Sequence, residues 1–473
     1  MEPIDVPERL GRWSSGRGPL YVLLAARLRQ LIDDGELPPG TPLPPDRVFA
    51  ANLAVGRSTV VAAYDLLESE GRIVRRRGSG TRVAGAPAST PDTTSAPMFL
   101  HLLEPQPDVI SLACAAPECP PTEVTDAYAA ILPVLASMTA DIGYHPAGIP
   151  QLREAIADRY TRFGAPTHAD QILVTNGGQQ ALSLLARALL RPGDHVLVET
   201  PTYPGALEAF HEASAVLHPM PFGLPGLAAV ARAHHPKLAY LTPTFHNPTG
   251  AILPTLLRRG IAESAEAAGI PLIADEVVAD LGFPGEQLPR PFAADADSVI
   301  SVSSLSKNIW GGLRIGWVRA TPALIARLTR LRAVHDLGGN IPAQLAAAEL
   351  VPQIESICEA RAGQRKSCHD QVIAALARDL PDWVVPPVPG GQTLWVRLPY
   401  GDGGSFAQTA LRHGVAILAG SGLDASGGSE EYIRIHFRHP PDVLAQAVER
   451  LSAAWRAYHP PVRSTATPPP LAM

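Results

Sequence analysis

The amino-acid sequence predicts an α/β protein in which helices cover both faces of a mostly parallel sheet, preceded by a smaller helix-rich module. From about residue 98 to 459, short apolar runs such as HVLVET and PLIADE alternate with amphipathic runs such as LLRRGIAESAEAAG, which is typical of βαβ units. Residues 15–84 are helix-rich, and residues 85–97 are mostly Ala, Pro, Ser and Thr, a composition that cannot bury a core. We therefore expect domains over 15–84 and 98–459, a linker over 85–97 and a disordered tail over 460–473.

Composition and charge narrow the possible classes of protein. The 473-residue chain has a net charge of -6, so any nucleic-acid contact has to come from a local patch. No uncharged apolar stretch approaches the ~20 residues that a membrane span needs, and the N-terminus lacks a signal pattern. The cysteines are too few and scattered for a disulfide framework or a metal site, so we expect small, reduced, buried residues of a cytoplasmic protein. They are Cys114, Cys119, Cys358 and Cys368.

The first module has the pattern of a helix-turn-helix. Leucines at helical spacing between residues 20 and 33 predict a first helix, which the turn PPGTPLPPDR ends. VFAANLA and GRSTVVAAYDLLESEG predict two more helices, and Val60, Tyr64 and Leu67 of the last one can face inward. The exposed N-terminal end of that helix, where base and phosphate contacts are made in such motifs, carries Arg57, Ser58 and Thr59.

A basic hairpin follows the helices. IVRRRGSGTRV predicts a strand, a Gly-Ser-Gly turn and a second strand, and a basic ribbon suits contact with the phosphate backbone or the minor groove. From Asp46 to Arg82 there are seven arginines against four carboxylates. By charge alone, a solvated hairpin on a helical dimerisation arm explains this segment almost as well. The arginines on the ribbon are Arg75, Arg76, Arg77 and Arg82.

The order of these signals is more specific than their charge. LPPDRVFAANLAVGRSTVVAAYDLLESEGRIVRRRGSGTRV resembles the GntR-type winged helix-turn-helix across its whole length. Val61 stands where many members of that family place a basic residue, and Gly56 replaces a hydroxyl, so fewer DNA contacts are implied. The residues that the resemblance implies as DNA contacts are Arg47, Arg57, Ser58 and Thr59 in the helices and Arg77, Gly78 and Gly80 at the wing.

Several motifs of the large domain suit a phosphate-bearing aldehyde cofactor. Lys307 in SSLSKNIWGGLRIGW offers an amine for a Schiff base, beside hydroxyl and guanidinium groups that can hold a phosphate. NGGQQAL opens a helix with a Gly turn that can cradle a phosphate. Asp275, Asn247 and Arg434 lie in IADE, HNPTG and IRIHF and could bind a ring nitrogen, a ring oxygen and a carboxylate. Taken singly, each motif is equally compatible with an ordinary turn, helix cap, core strand or surface lysine.

The order of the motifs is what distinguishes them. Y-x-P-x-G-x-x-x-L-R, GGQQAL, PTYPG, NPTG, D-E, S-x-x-S-K with a following Arg, and IRIHF occur in the sequence of fold-type I aminotransferases, which this domain resembles over nearly its whole length. The resemblance implies pyridoxal 5'-phosphate as cofactor and a smaller C-terminal subdomain. It implies Lys307 as the internal-aldimine lysine, Asp275 as the partner of the pyridinium nitrogen, Asn247 at the phenolic oxygen and Tyr203 stacked on the ring.

The resemblance also implies groups for the phosphate, for a second chain and for an effector. Tyr144 would reach the neighbour's cofactor across a dimer interface, and Arg434 would bind an α-carboxylate with both of its nitrogens. Aminotransferases usually place a Tyr shortly after the Asp, but here Val277 and Val278 stand there, which implies slower catalysis of proton transfer. The implied phosphate ligands are Gly177, Gly178, Gln179, Ser304, Ser306 and Arg314.

Together the two domains resemble the MocR subfamily of GntR-type transcriptional regulators. The function this implies is a cytoplasmic, nucleoid-associated regulator that binds double-stranded promoter DNA and senses pyridoxal phosphate or its aldimine with an amino acid or amine. A homodimer swapped head to tail is implied as well. Two alternatives remain open: an active aminotransferase with an incidental N-terminal domain, and a constitutive DNA-binding protein whose large domain only dimerises. The effector, the target genes and the sign of regulation are also open.

Overall fold

A computed structural model describes residues 6–10, 13, 19–33, 36–38, 40–69, 72–76, 80–83, 108–117 and 119–460. The chain divides into two compact units, Met1–Ser95 and Ala96–Met473. The linker predicted over residues 85–97 and almost all of the predicted tail lie outside the described residues. Within the described ranges, no helix combines the length and the apolar character required to cross a bilayer.

The N-terminal unit is a small helical domain with a three-stranded sheet. Both strand pairs are antiparallel, and the order in the sheet is β1-β3-β2. The last helix of the predicted helix-turn-helix begins at Arg57, and Val60, Tyr64 and Leu67 on its inner face are fully buried, as predicted. The helices are α1 Val6–Arg9, α2 Leu20–Asp33, α3 Asp46–Asn52 and α4 Arg57–Ser69, and the strands are β1 Pro42–Leu43, β2 Ile73–Arg76 and β3 Gly80–Val83.

The large unit is built on a seven-stranded sheet of order β5-β11-β10-β9-β8-β6-β7. β11 is antiparallel to both of its neighbours, and the other pairs are parallel. The short apolar runs predicted as buried strands all form strands of this sheet. The bounds are β5 Ile172–Thr175, β6 His195–Glu199, β7 Val216–Met220, β8 Leu238–Leu241, β9 Leu272–Asp275, β10 Ile300–Ser304 and β11 Gly316–Arg319.

Helices cover both faces of this sheet, as the continuous apolar strands require. Val196 and Val198 of β6 pack in one buried cluster with Phe210, while Leu197 between them packs in another with Leu227. Alternate residues of one strand therefore serve two cores. The helices are α5 Thr122–Ser137, α6 Pro150–Arg162, α7 Gly178–Leu189, α8 Pro204–Glu212, α9 Leu227–His234, α10 Thr255–Ala267, α11 Pro322–His335, α12 Ile341–Leu350 and α13 Ile354–Ala360.

A smaller C-terminal subdomain completes the large unit. A three-stranded sheet of order β12-β15-β14 and a two-stranded pair of β13 with β4 pack against helices in a separate apolar cluster. Trp383, Phe406 and Trp455 form edge-to-face contacts in that cluster. The bounds are β4 Ile110–Ser111, β12 Thr393–Arg397, β13 Val415–Ala416, β14 Leu418–Ala419, β15 Tyr432–His436, α14 Ala362–Asp379, α15 Gly403–Arg412 and α16 Pro441–Ala457.

The cysteines match the expectation only in part. All four are free thiols, and Cys358 and Cys368 are buried. Cys119 is exposed, however, and Cys114 is half-buried in the wall of the main cavity. The prediction of four buried cysteines was therefore wrong for these two. Both lie on an irregular segment between β4 and α5, where hydrophobic packing does not determine side-chain burial.

Candidate functional site

The carboxyl ends of the parallel strands open into a cavity of about 730 Å³. Asp275 is the last residue of β9 and Ser304 the last of β10, and both line this cavity. Strands in a parallel sheet end at the same edge, so side chains that are far apart in the sequence meet there. The predicted residues that line the cavity are Gly178, Gln179, Tyr203, Asn247, Asp275, Ser304, Ser306, Lys307, Arg314 and Arg434.

Lys307 follows β10 in a short π-helical turn, Ser306–Trp310. Its Nζ donates a hydrogen bond to the carbonyl oxygen of Ala115 at 2.5 Å, and Gln392 donates to the same oxygen at 3.1 Å. Burial lowers the pKa of the Lys307 ammonium, and the nearby Arg434 guanidinium lowers it further. A lysine whose neutral form is favoured in this way is a better nucleophile toward an aldehyde.

Asp275 is buried and held in place by two donors. Tyr240 donates its hydroxyl to Asp275 Oδ2 at 2.8 Å, and the backbone N–H of Val277 donates to Oδ1 at 3.1 Å. Burial raises the pKa of this carboxyl, while the hydrogen bond from Tyr240 opposes the rise. The carboxylate is thus positioned, yet it lacks a cation within hydrogen-bond distance among the described residues. A protonated ring nitrogen would supply that charge.

Arg434 lies in the middle of β15 and is almost fully buried. Its Nη1 donates to Asn247 Oδ1 at 3.0 Å, and its Nη2 donates to the carbonyl of Ala113. Its Nε is buried without a hydrogen-bond partner among the described residues, and burial lowers the pKa of the guanidinium to about 10. Because Asn247 Oδ1 faces Arg434, the amide NH₂ of Asn247 is the group left to act as a donor.

Three kinds of group converge where a phosphate was predicted to bind. Gly177 caps α7 at φ 88°, so the first N–H groups of that helix are exposed to the cavity. Ser304 Oγ donates to Ser306 Oγ at 2.8 Å, and the backbone N–H of Ser306 donates to Ser304 Oγ at 3.0 Å. Arg314 has a left-handed backbone, φ 52°, and its Nη2 donates to the carbonyl of Asn176 at 2.5 Å.

Two of the predicted cofactor residues do not line the cavity. Gly177 lies behind it, where a Cβ would stand 2.8 Å from Arg314 Nη2. Tyr144 lies in a loop before α6 with 60% of its surface exposed. Tyr203 does line the cavity, and its hydroxyl donates to Gln179 Oε1 at 3.2 Å. An exposed tyrosine on this loop is compatible with a contact to a second chain, which the single chain does not contain.

Sequence reasoning missed several groups of the site. Tyr240 had a usable signal, since a tyrosine inside the apolar run LAYL has to satisfy its hydroxyl when buried. Ala113 and Ala115 had none, because they contribute only backbone carbonyls. Gln392 and Cys114, which also line the cavity, belong to no recognised motif. Val277 and Val278, singled out in the sequence, do form part of the wall.

The N-terminal unit presents a second candidate surface at the start of α4. Arg47, Arg57 and Ser58 are exposed, and Thr59 is partly exposed. Arg57 Nη2 makes an ion pair with Asp46 Oδ2 at 3.1 Å. An exposed pair of this kind is weak, so a phosphate can compete for the guanidinium. Of the predicted wing contacts, Arg77 and Gly78 lie outside the described residues, and Gly80 begins β3.

The wing is less available for DNA than its arginine content suggests. Arg75 Nη1 donates to Asp65 Oδ1 at 2.7 Å, its backbone N–H donates to Glu68 Oε1 at 3.3 Å, and its guanidinium lies 5.4 Å from the Tyr64 ring centroid. Arg75 therefore fastens β2 to α4. Arg82 is exposed and donates to the Gly40 carbonyl at 2.9 Å. The expectation that all ribbon arginines face DNA is corrected for Arg75.

Two family models match this chain. The model described as aminotransferase class I and II matches residues 107–451, and the model described as bacterial regulatory proteins of the gntR family matches residues 20–83. The two matches follow the two compact units.

Relatives and solved structures agree with those matches. The uncharacterized HTH-type transcriptional regulator YisV of Bacillus subtilis (strain 168) is 30% identical over 82% of this chain and 86% of its own length. The probable rhizopine catabolism regulatory protein MocR of Rhizobium meliloti is 29% identical over 77% of this chain and 79% of its own. The crystal structure of LysN, an alpha-aminoadipate aminotransferase from Thermus thermophilus complexed with N-(5'-phosphopyridoxyl)-L-leucine, covers 76% of this chain and 94% of its own at 27% identity, with a TM-score of 0.68.

Proposed function

The chain belongs to the MocR subfamily of GntR-type transcriptional regulators, a gntR-family DNA-binding domain fused to a class I and II aminotransferase domain, and we propose that it regulates transcription in response to pyridoxal phosphate, free or joined to an amino compound. The observation that carries this proposal is the way the cavity is connected to the start of the large unit. Lys307 donates to the Ala115 carbonyl and Arg434 to the Ala113 carbonyl. These carbonyls belong to the first described segment after the linker, residues 108–117.

The donor set of the cavity fits pyridoxal phosphate. It combines an amine of lowered pKa, a buried carboxylate and an arginine whose Nε is buried and unpartnered among the described residues. Its volume falls within the roughly 300–1,000 Å³ typical of small-molecule sites. When bound, the cofactor supplies an aldehyde that condenses with an amine and a protonated ring that withdraws electrons.

Each residue then has a proposed role. Lys307 would bind the aldehyde, Asp275 would pair with the ring nitrogen, and Asn247 would donate to the phenolic oxygen. Tyr203 would stack on the ring, and Arg434 would take a carboxylate of the effector. The groups proposed to hold the phosphate are Gly177, Gly178, Gln179, Ser304, Ser306 and Arg314, with Tyr144 proposed to act in the site of a second chain.

Signalling would begin at the Lys307 amine. An amino compound that takes over the aldehyde would leave Lys307 free to change its hydrogen bonds. Its carboxylate would draw Arg434 Nη groups away from Ala113 and Asn247. Because Ala113 and Ala115 lie on one short segment directly after β4, both changes would act on the same piece of backbone. That segment leads toward the linker in sequence, which makes it a direct route to the DNA-binding domain.

Partners and location are part of the proposal. The DNA contacts would be made by Arg47, Arg57, Ser58 and Thr59, with Arg77, Gly78 and Gly80 at the wing. We propose a homodimer swapped head to tail, with each DNA-binding domain resting on the large domain of the partner, acting at the nucleoid. The effector would be an amino acid or amine, and Arg434 favours one that bears a carboxylate.

An active aminotransferase is the alternative that one observation favours, namely that lysine, aspartate and arginine are all present in one cavity. Against it, Val277 and Val278 line the wall where an aminotransferase tyrosine would stand, and neither side chain can donate a hydrogen bond. Repeated transfer from an amino acid to a keto acid, measured over many turnovers, would support the enzyme. Absence of turnover, together with a DNA response, would support the regulator.

The Lys307→Ala variant tests the proposed anchor. Without the amine, the purified variant is expected to lose the visible absorption of the lysine-bound cofactor, because no covalent link can form. The matched control is Lys366→Ala, which removes a 44% exposed lysine side chain paired with Asp370. Retained lysine-type absorption in Lys307→Ala, or its loss in the control, would contradict the assignment.

A further inference from the structure

Three histidines converge at the end of the large sheet that lies opposite the cavity. His195 is the first residue of β6, His218 is the third residue of β7, and His234 is the last residue of α9. β7 is the edge strand of the sheet. Since β6 begins at His195 and the cavity opens at the carboxyl ends of the strands, this cluster is separate from the proposed cofactor site.

The fold itself places these side chains together. His218 is in register with Leu197 of the neighbouring strand, and His195 lies two residues before Leu197, so both imidazoles project from the same face of the sheet. Leu227 and Ala231 of α9 pack in the same cluster as Leu197. His234 follows them at helical spacing and therefore points toward the same face.

The contacts are close enough for shared coordination. His218 Nε2 lies 2.6 Å from His195 Nδ1. The ring centroid of His218 is 4.7 Å from that of His195 and 4.3 Å from that of His234. One ring nitrogen from each of the three histidines can be chosen so that all three lie within 4.8 Å of one another. Burial, together with the other two imidazoles, lowers the pKa of His218, which favours the neutral ring.

We propose that His195, His218 and His234 bind one divalent transition-metal ion, with zinc as the best match and water completing the coordination. Neutral imidazole is a preferred ligand of zinc. With Zn–N bonds of about 2.0–2.1 Å, ligand nitrogens in a tetrahedral site stand about 3.3–3.4 Å apart. The hydrogen-bonded pair has to open by less than about 1 Å, and the other distances have to shorten by about 1.5 Å at most.

Binding would also change the hydrogen bonding within the cluster. In the contact between His218 Nε2 and His195 Nδ1, one nitrogen donates a proton to the other. A metal needs the lone pairs of both nitrogens, so the donor ring has to adopt its other tautomer. The ion would then join the end of α9 to β6 and to the edge strand β7.

The test is a zinc titration of the full-length, cofactor-saturated protein in competition with a chromophoric chelator. We expect one equivalent of zinc bound per chain and at least tenfold weaker binding by His234→Gln, whose exposed position makes the substitution safe for folding. The matched control is His235→Asn, at the next position, exposed and at φ 47°, a backbone that Asn tolerates. This control is expected to bind zinc like the wild type.

A second measurement identifies the ligands. Co²⁺ in the site is expected to give visible absorption of a tetrahedral ion without a near-ultraviolet thiolate band, which separates the histidines from the exposed Cys119. His218→Gln, judged folded by its cofactor absorption, is expected to lose the signal. Equal zinc affinity in the wild type and His234→Gln, a thiolate band, or no stoichiometric binding would each overturn the proposal.

Discussion

At the scale of single residues, the cavity is organised by charges that lack counter-ions within the described part of the large unit. Asp275 is buried against Tyr240 rather than against a cation, and Arg434 has a buried Nε without a partner in that same part of the chain. Burying a charge in this way is costly unless a ligand supplies the missing charge. The two residues therefore define opposite ends of a ligand, one cationic and one anionic.

Substituting Asp275 tests the cationic end. Asp275→Asn keeps an acceptor for Tyr240 but removes the negative charge, so pyridoxal phosphate is expected to bind at least about tenfold more weakly, corresponding to about 1.4 kcal/mol. Fluorescence quenching on cofactor titration measures this affinity. The control Tyr240→Phe removes only the hydroxyl and is expected to have a smaller effect. Unchanged affinity in Asp275→Asn would remove the pyridinium role.

Individual residues also show where the sequence was insufficient. Lys307, Asp275 and Arg434 could be identified because their chemical types occur at fixed places in an ordered set of motifs. The carbonyls of Ala113 and Ala115 could not, because any residue provides a carbonyl and only the fold determines its position. Arg75 illustrates the reverse case, in which a charge that suggested DNA contact is bound by Asp65 on the adjacent helix.

At the scale of elements, the phosphate cradle depends on how closely β11 and the turn before α7 approach each other. A Cβ at Gly316 would stand 2.7 Å from the carbonyl carbon of Gly177. Glycine at both positions lets the two backbones touch and leaves the helix N-terminus facing the serines that follow β10. The motif NGGQQAL predicted the helix start, but the contact with β11 required the three-dimensional sheet order.

Gly177→Ala tests this element. At φ 88°, with Arg314 Nη2 only 2.8 Å from the new Cβ, the variant is expected to displace Arg314 and to lower both stability, by about 1–3 kcal/mol, and phosphate affinity. Gly269→Ala is the matched control, because it has φ 66° and no atom within 4 Å of its Cβ. Denaturant unfolding and cofactor titration measure the two effects. Equal loss of cofactor affinity in both variants would show that backbone strain alone accounts for it.

The N-terminal end of α4 makes a separate prediction. Arg57→Ala is expected to weaken DNA binding by about 1–3 kcal/mol and, if the contact is to a phosphate, to reduce the salt slope by about 1. Fluorescence anisotropy at several salt concentrations measures both quantities. Arg378→Ala, which removes a 71% exposed guanidinium in the large unit, is the control and is expected to leave DNA binding unchanged. Equal affinity of the two variants would exclude Arg57 as a contact.

At the scale of the whole molecule, the account rests on communication between two units that fold separately along the chain. The sequence predicted both units and the strands of the central sheet, because apolar runs and turn residues determine them locally. It predicted most cavity residues because parallel strands end at one edge. It could not predict the hydrogen bonds from Lys307 and Arg434 to the segment 108–117, since these join residues about 190 and 320 positions apart.

The most direct test of this account is a fluorescence-anisotropy titration of the purified protein against DNA from the region upstream of its own gene, at fixed salt, with and without pyridoxal phosphate. The account predicts sequence-selective binding whose Kd changes with the cofactor in the wild type but not in Lys307→Ala. Selective binding that ignores both the cofactor and an added amino compound would contradict it, as would the absence of any selective binding.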